Sequence, residues 1–261
     1  MKIFIIKSYW KTLLFFAIIG LIGGYTLGLF MLESYPAEIQ QQVINELNSA
    51  GLGNVPIDVA VGVLNAISSL LYGVILGALG IWLGKKTGLW KDEINITKKP
   101  LIASIIVSII GGLLMILPDL LFFNIYSEVI ANSYNAKPSF VFILASVTYG
   151  GVIEEVMLRL FMMSLIAFIL HKLFSSKNKM PTTTILIISN IIAALLFAAG
   201  HLPATFMMIG NSPLIIARCF VLNGGIGLLF GWLYRKYGLR YSMIAHAGCH
   251  IVSKLIWILF I

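Results

Sequence analysis

Charge is scarce in this sequence. Asp, Glu, Lys and Arg together make up 11% of its 261 residues, against about 25% in soluble globular domains, which excludes both an ordinary soluble fold and a charged disordered segment. Acids are the rarer sign, ten against eighteen basic residues. Cysteine is rarer still. Cys219 and Cys249 stand in apolar surroundings without CxxC or framework spacing, so a disulfide scaffold is excluded and both read as buried small apolar side chains. Neither a Ser/His/Asp motif nor HExxH is evident. There is no polar Pro/Gly/Ser-rich linker, internal repeat or low-complexity tract, so residues 1–261 are expected to form one integral membrane domain.

What is present is apolar sequence, 59% of the chain. Runs near the length of a helical bilayer crossing, about 20 residues, recur at roughly 10–32, 57–84, 100–123, 140–170, 182–201, 213–234 and 241–261. The expected fold is all-α: a polytopic transmembrane bundle of about seven helices. The first run follows Lys2, Lys7 and Lys11, as a secretory signal would, but it is long and lacks a small-x-small cleavage site, so it is expected to be a retained helix. After it, Glu33–Pro56 places Ile39, Val43, Ile44 and Leu47 on one helical face, which predicts a short amphipathic interfacial helix.

The basic residues are sorted by loop. The N-terminus carries Lys2, Lys7 and Lys11; the second loop Lys85, Lys86, Lys91, Lys98 and Lys99; the fourth Lys172, Lys177 and Lys179; the sixth Arg235, Lys236 and Arg240. The odd loops contribute Lys137 alone. The positive-inside rule then puts the N-terminus in the cytoplasm of a multi-pass cell-membrane protein and the C-terminus outside. The net charge of +8 reports orientation in a bilayer and not nucleic-acid binding. Glycines at four-residue spacing, such as Gly20/Gly24/Gly28 and Gly227/Gly231, read as close helix packing.

Three polar fragments interrupt the apolar runs: EEVMLR at Glu154–Arg159, FAAGH at Phe197–His201 and HAGCH at His246–His250. An unpaired carboxylate or imidazole in an apolar helix costs several kcal/mol, so such groups are usually functional. Glu155 and Arg159, four apart, share a helix face, whereas Glu154 points elsewhere. Glu155 can then brace Arg159 and leave Glu154 unpaired as a candidate general base; the competing reading is one packing cluster of all three. Phe197 and His201 stack on one face, with Pro203 expected to stop their helix just beyond. His246 and His250 likewise share a face and could hydrogen-bond a substrate carbonyl, hold a metal or bridge helices.

Taken together and in this order, the three fragments resemble the EExxxR, FxxxH and HxxxN pattern of the CAAX protease and bacteriocin-processing family, also called the Abi family. The resemblance covers roughly Phe140 to the C-terminus and includes the run GLLFGWLYRKYGLRYSMIAHAGCH. It implies a glutamate-type intramembrane endopeptidase acting on a hydrophobic or membrane-bound peptide without a cofactor. Glu154 and His201 would activate water, Glu155 and Arg159 would support them, and His246 would stabilise the oxyanion. The fourth motif position departs, with His250 in place of Asn. That substitution also makes Glu154, His201, His246 and His250 a candidate zinc set, the metal-dependent alternative. A second alternative keeps the fold as a membrane immunity or binding protein that sequesters a peptide without cutting it.

Straight helices would spread these residues in depth, with Glu154 near mid-membrane, His201 near an outer end and His246 towards the cytoplasm. A shared site therefore predicts that the fifth helix begins nearer Ile187 and that Leu202–Ser212 lies inside the protein. Among the other polar groups, Arg218 is expected to snorkel, Lys254 to pair with an acid or to mark a helix offset from these bounds, Asp119 to face water and His171 to be a solvated loop residue.

Overall fold

The structure, a computed structural model, describes residues 2–92, 96–175 and 177–261, with backbone alone for residues 2–8. The side chains of Lys2 and Lys7 in the basic N-terminus therefore lie outside the described residues. The described chain is helical and forms α1 (Lys2–Ser34), α2 (Ala37–Ser49), α3 (Ile57–Thr87), α4 (Lys98–Tyr126), α5 (Glu128–Ser133), α6 (Phe140–Phe174), α7 (Thr183–Met208), α8 (Pro213–Tyr237) and α9 (Leu239–Phe260). Six of these, α1 from Tyr9 and then α3, α4, α7, α8 and α9, are long and apolar enough to cross a membrane. The seventh expected stretch is α6, which carries Glu154, Glu155 and Arg159 in its middle and is not among these six. The amphipathic segment after the first run is helix α2.

Helix ends follow local chemistry. Ser127, Ser139, Thr182 and Ser212 each accept a hydrogen bond from the backbone N–H three residues on, opening α5, α6, α7 and α8. Gly88, at φ 72°, closes α3 in the left-handed conformation that a side chain would strain. The α8–α9 connection is a single residue, Gly238, at φ 103°.

Helix α6 is central. Its first half packs on α1 and α9, its second half on α3 and α7. α1 lies along α3, and α4 along α9. The close α1–α3 approach depends on the glycine stripe: a Cβ on Gly20 would stand 2.8 Å from the Ser69 carbonyl oxygen, and one on Gly28 2.7 Å from that of Val61. Buried Leu160, Met163, Ala193 and Tyr234 form a core between α6, α7 and α8. The outer faces expose Leu14, Ile18 and Leu21 on α1 and Ile102, Ile105, Ile106 and Ile109 on α4. Continuous apolar faces of this kind need lipid around them, and the chain is a multi-pass membrane protein.

Several polar groups depart from expectation. Asp119 is 2% exposed and does not face water. It accepts a two-pronged pair from Arg218, Nε at 2.6 Å and Nη2 at 2.5 Å, and a hydrogen bond from Tyr134 at 2.9 Å. Arg218 therefore ties α8 to α4 instead of snorkelling, because a fork of donors near a buried carboxylate gains more than it would at the interface. His171 is buried in α6 and within hydrogen-bond distance of Ser175, 2.8 Å from Nδ1 to Oγ. Lys254 has no carboxylate within 4 Å among the described residues. Its ammonium lies 4.1 Å above the Phe142 ring and 3.3 Å from Nδ1 of His250.

Candidate active site

Glu154, Glu155 and Arg159 lie where α6 widens through π-type turns, Ser146–Glu154 and Val156–Met163. Such turns recur at functional sites because they re-aim neighbouring side chains. Glu155 and Arg159 are both fully buried, with 3.6 Å between Nε and the carboxylate. The guanidinium also donates through Nη2 to the Gly227 carbonyl at 3.2 Å and is flanked by the rings of Phe197 at 4.8 Å and Phe230 at 5.7 Å. A Cβ on Gly227 would stand 3.2 Å from Nη2, so this helix contact leaves little room for a larger residue.

Glu155 has further partners besides the arginine. Nδ1 of His246 donates to its Oε1 at 2.9 Å, and the Ser242 hydroxyl contacts its Oε2. The imidazole of His246 is sandwiched, stacked on Phe230 at 4.4 Å and on His250 at 5.0 Å, with the edge of Phe197 at 5.9 Å. This carboxylate thus binds α6 to α9 as well as to its own helix.

Glu154 behaves differently. It is partly open, at 18% side-chain exposure, and its two oxygens face two imidazoles: Nε2 of His201 and Nε2 of His246, each at 3.9 Å. Hydrogen bonding on the far side of each ring sets which nitrogen is free. Nδ1 of His201 lies 2.8 Å from the Phe197 carbonyl, which can only accept, so Nδ1 carries the proton. Nδ1 of His246 does the same towards Glu155. A neutral ring held this way turns an Nε2 lone pair towards Glu154, and a doubly protonated one turns an Nε2–H there instead. The Phe197 ring packs edge-on against His201 at 4.6 Å, as the four-residue spacing predicts.

His250 joins this group through a missing side chain. A Cβ on Gly150 would stand 2.9 Å from Nε2 of His250 and 3.8 Å from Oε2 of Glu154, so both groups close on the same bare stretch of α6. All six expected site residues, Glu154, Glu155, Arg159, His201, His246 and His250, thus gather in one region. Among the described residues no three His, Cys, Asp or Glu side chains are arranged to hold a metal ion.

The helices reach this common point differently from the expected way. α7 begins at Thr183, not near Ile187, and Leu202–Met208 continues as a largely exposed helical turn with Pro203 in its first positions. Proline at a helix start loses no hydrogen bond, so it restarts the helix after the His201 junction instead of stopping it. The depth mismatch is absorbed by α9, which begins only about 10 Å before His246, while α6 runs on for roughly 30 Å beyond Glu154. Ser242, Phe230, Gly150 and Gly227 are additional parts of the site. Ser242 carried a legible signal, since it lies four residues before His246 on the same face of α9.

Residues 136–252 match the Rce1-like family, described as type II CAAX prenyl endopeptidase Rce1-like. No curated protein and no solved structure matches the chain. The matched stretch contributes all six motif residues, and the family it is similar to agrees with the one that its three motifs resemble.

Proposed function

We propose that this protein is a glutamate-type intramembrane endopeptidase that hydrolyses a peptide bond in a hydrophobic or membrane-presented peptide. One observation carries the reading: the Glu154 carboxylate faces Nε2 of both His201 and His246 at 3.9 Å, while each ring is anchored through Nδ1. A gap of that width suits one bridging water. Glu154 takes a proton from that water as its oxygen attacks the peptide carbonyl carbon. The C–N bond then breaks with its electrons on nitrogen, and the proton from Glu154 passes to the leaving amine. His201 holds the water in line. His246 in its protonated form, with Glu155 behind it, donates from Nε2 to the oxyanion, and His250 supplies a second donor.

The two carboxylates therefore divide the work. Glu155 neutralises the buried Arg159 and orients His246, as buried charge requires, and Glu154 is left to react. The site lies in the bilayer of the cell membrane, with the N-terminus and the basic loops in the cytoplasm. The prenyl endopeptidase family of residues 136–252 makes a lipid-anchored peptide the first substrate to try.

The test is reconstitution of the full chain in lipid nanodiscs with lipid-anchored and free hydrophobic peptides, comparing wild type with Glu154→Gln and His201→Ala. Cleavage by wild type alone is expected. Cleavage by all three proteins would assign the activity elsewhere. Absence of cleavage, together with a cellular phenotype that survives both substitutions, would replace this reading with an immunity or binding function.

A further inference from the structure

Lys254 lies two positions beyond the stretch that matches the family and has no part in the motifs, yet it is 6% exposed and touches the site. A buried ammonium without a carboxylate partner is costly, so its contacts need a reason. It has two. Its charge lies over the face of Phe142 at 4.1 Å, and Nζ is 3.3 Å from Nδ1 of His250. An ammonium has hydrogens to give and no lone pair, so in this contact Lys254 donates and Nδ1 of His250 accepts. A neutral imidazole with an occupied Nδ1 lone pair must carry its proton on Nε2. That nitrogen has no hydrogen-bond partner among the described residues and points at Gly150, beside Oε2 of Glu154.

From this geometry we infer that Lys254 is a positioning residue that fixes His250 in the Nε2–H form, so that a neutral histidine serves as hydrogen-bond donor at the position where the family pattern has an asparagine amide. An asparagine side chain always has N–H groups to offer, whereas a neutral imidazole offers one nitrogen or the other. The four residues Ser242, His246, His250 and Lys254, each four after the last on α9, set up two rings of opposite polarity. Glu155 draws the proton of His246 to Nδ1, and Lys254 sends that of His250 to Nε2. The other titratable groups facing this pair are Glu154 on α6, His201 on α7 and His246 on α9; the Phe142 ring, also on α6, packs on the ammonium. The inference rests on the endopeptidase reading for the use of the donor, but not for the placement of the proton.

The experiment has two arms on the full chain in nanodiscs. The first reads the ring nitrogens of His250 by 15N NMR, with assignment by His250→Asn. Wild type should show an unprotonated Nδ1 and a protonated Nε2; Lys254→Met should move the signals towards a mixture, and Lys254→Gln, which keeps a donor, should restore them. A doubly protonated or Nδ1–H ring in wild type, or signals indifferent to Lys254→Met, would overturn the inference whether or not the protein cuts any peptide. The second arm measures kcat on a cleaved peptide. Lys254→Met should lower kcat about tenfold, less than the roughly 100-fold or more of a lost oxyanion donor, with Lys254→Gln recovering most of it. In the His250→Asn background the same Lys254→Met change should cost less than about twofold. Equal cost in both backgrounds would make Lys254 a packing residue and overturn its role in catalysis, while an inactive Glu154→Gln control would still uphold the endopeptidase reading.

Discussion

Neutralising each of the two adjacent glutamates should cost very different amounts of stability. Glu155 is fully buried and faces the Arg159 guanidinium, Nδ1–H of His246 and the Ser242 hydroxyl. Glu155→Gln keeps the shape but removes the charge opposite a buried guanidinium whose Nε and Nη1 have no hydrogen-bond partner among the described residues. Breaking a buried pair by removing one partner costs about 3–5 kcal/mol, which for a chain of this size corresponds to a fall in Tm of roughly 6–20 °C. Glu154→Gln removes a partly exposed carboxylate whose nearest ring nitrogens are 3.9 Å away, so its cost should stay under about 1 kcal/mol. Both variants should lose peptide cleavage, one because the base is gone and the other because His246 loses its anchor. The assay is thermal unfolding of the purified proteins in one detergent, with cleavage measured on the same samples. If Glu155→Gln melts within about 2 °C of wild type, or if Glu154→Gln is the less stable of the two, the assignment of one carboxylate to structure and the other to chemistry is wrong.

Three further outcomes are expected. At the Asp119–Arg218 pair, Asp119→Asn and Arg218→Met should each destabilise by about 3–5 kcal/mol, and the double substitution by clearly less than their sum; additive costs in the double-mutant cycle would refute the pairing. Cleavage should survive dialysis against a chelator, and metal analysis of the purified protein checks the point; activity lost on chelation and restored by zinc would establish the metal-dependent alternative at Glu154, His201, His246 and His250. In the loop after α3, the Asp92 carboxyl is held below the ordinary carboxylate range, first by the hydrogen bond from Tyr9, then against some burial by those from Trp90 and the charge of Lys85. A depressed folded-state pKa gives stability that is present above the unfolded value of about 3.9 and is lost as pH falls through the folded one. Asp92→Asn should therefore lower Tm at pH 7, by an amount equivalent to under about 1 kcal/mol for so exposed a group, and the difference should shrink below about pH 4; an equal difference at pH 7 and pH 3 would refute it.

The helices and the Glu155–Arg159 pairing were legible because each depends on local spacing. Apolar run length marked the spans, the four-residue glycine stripe marked close helix packing, which the structure places between α1 and α3, and the four-residue intervals in Glu155–Arg159 and Phe197–His201 correctly put each pair on one face. What spacing could not give is the other side of each contact. The partner of Glu155 on α9 is His246, and no periodicity within α6 encodes that. Asp119 and Arg218 lie on separate helices, α4 and α8, so each in isolation resembled a surface group. Lys254 stands on the same stripe as His246 and His250, and its neighbour is a ring nitrogen, which also accepts a hydrogen bond, in place of the expected acid. Depth in the bilayer is hidden for a similar reason: helix starts are not level, and the one-residue turn at Gly238 starts α9 close to the site while α6 runs far past it.

The most direct test of the central claim is product analysis by mass spectrometry after incubating the reconstituted chain with a cleavable lipid-anchored peptide in 18O-labelled water. A Glu154-activated water predicts one heavy oxygen in the new C-terminal carboxylate with wild type and no product with Glu154→Gln. Labelled product from the Glu154→Gln protein at the wild-type rate would contradict the account.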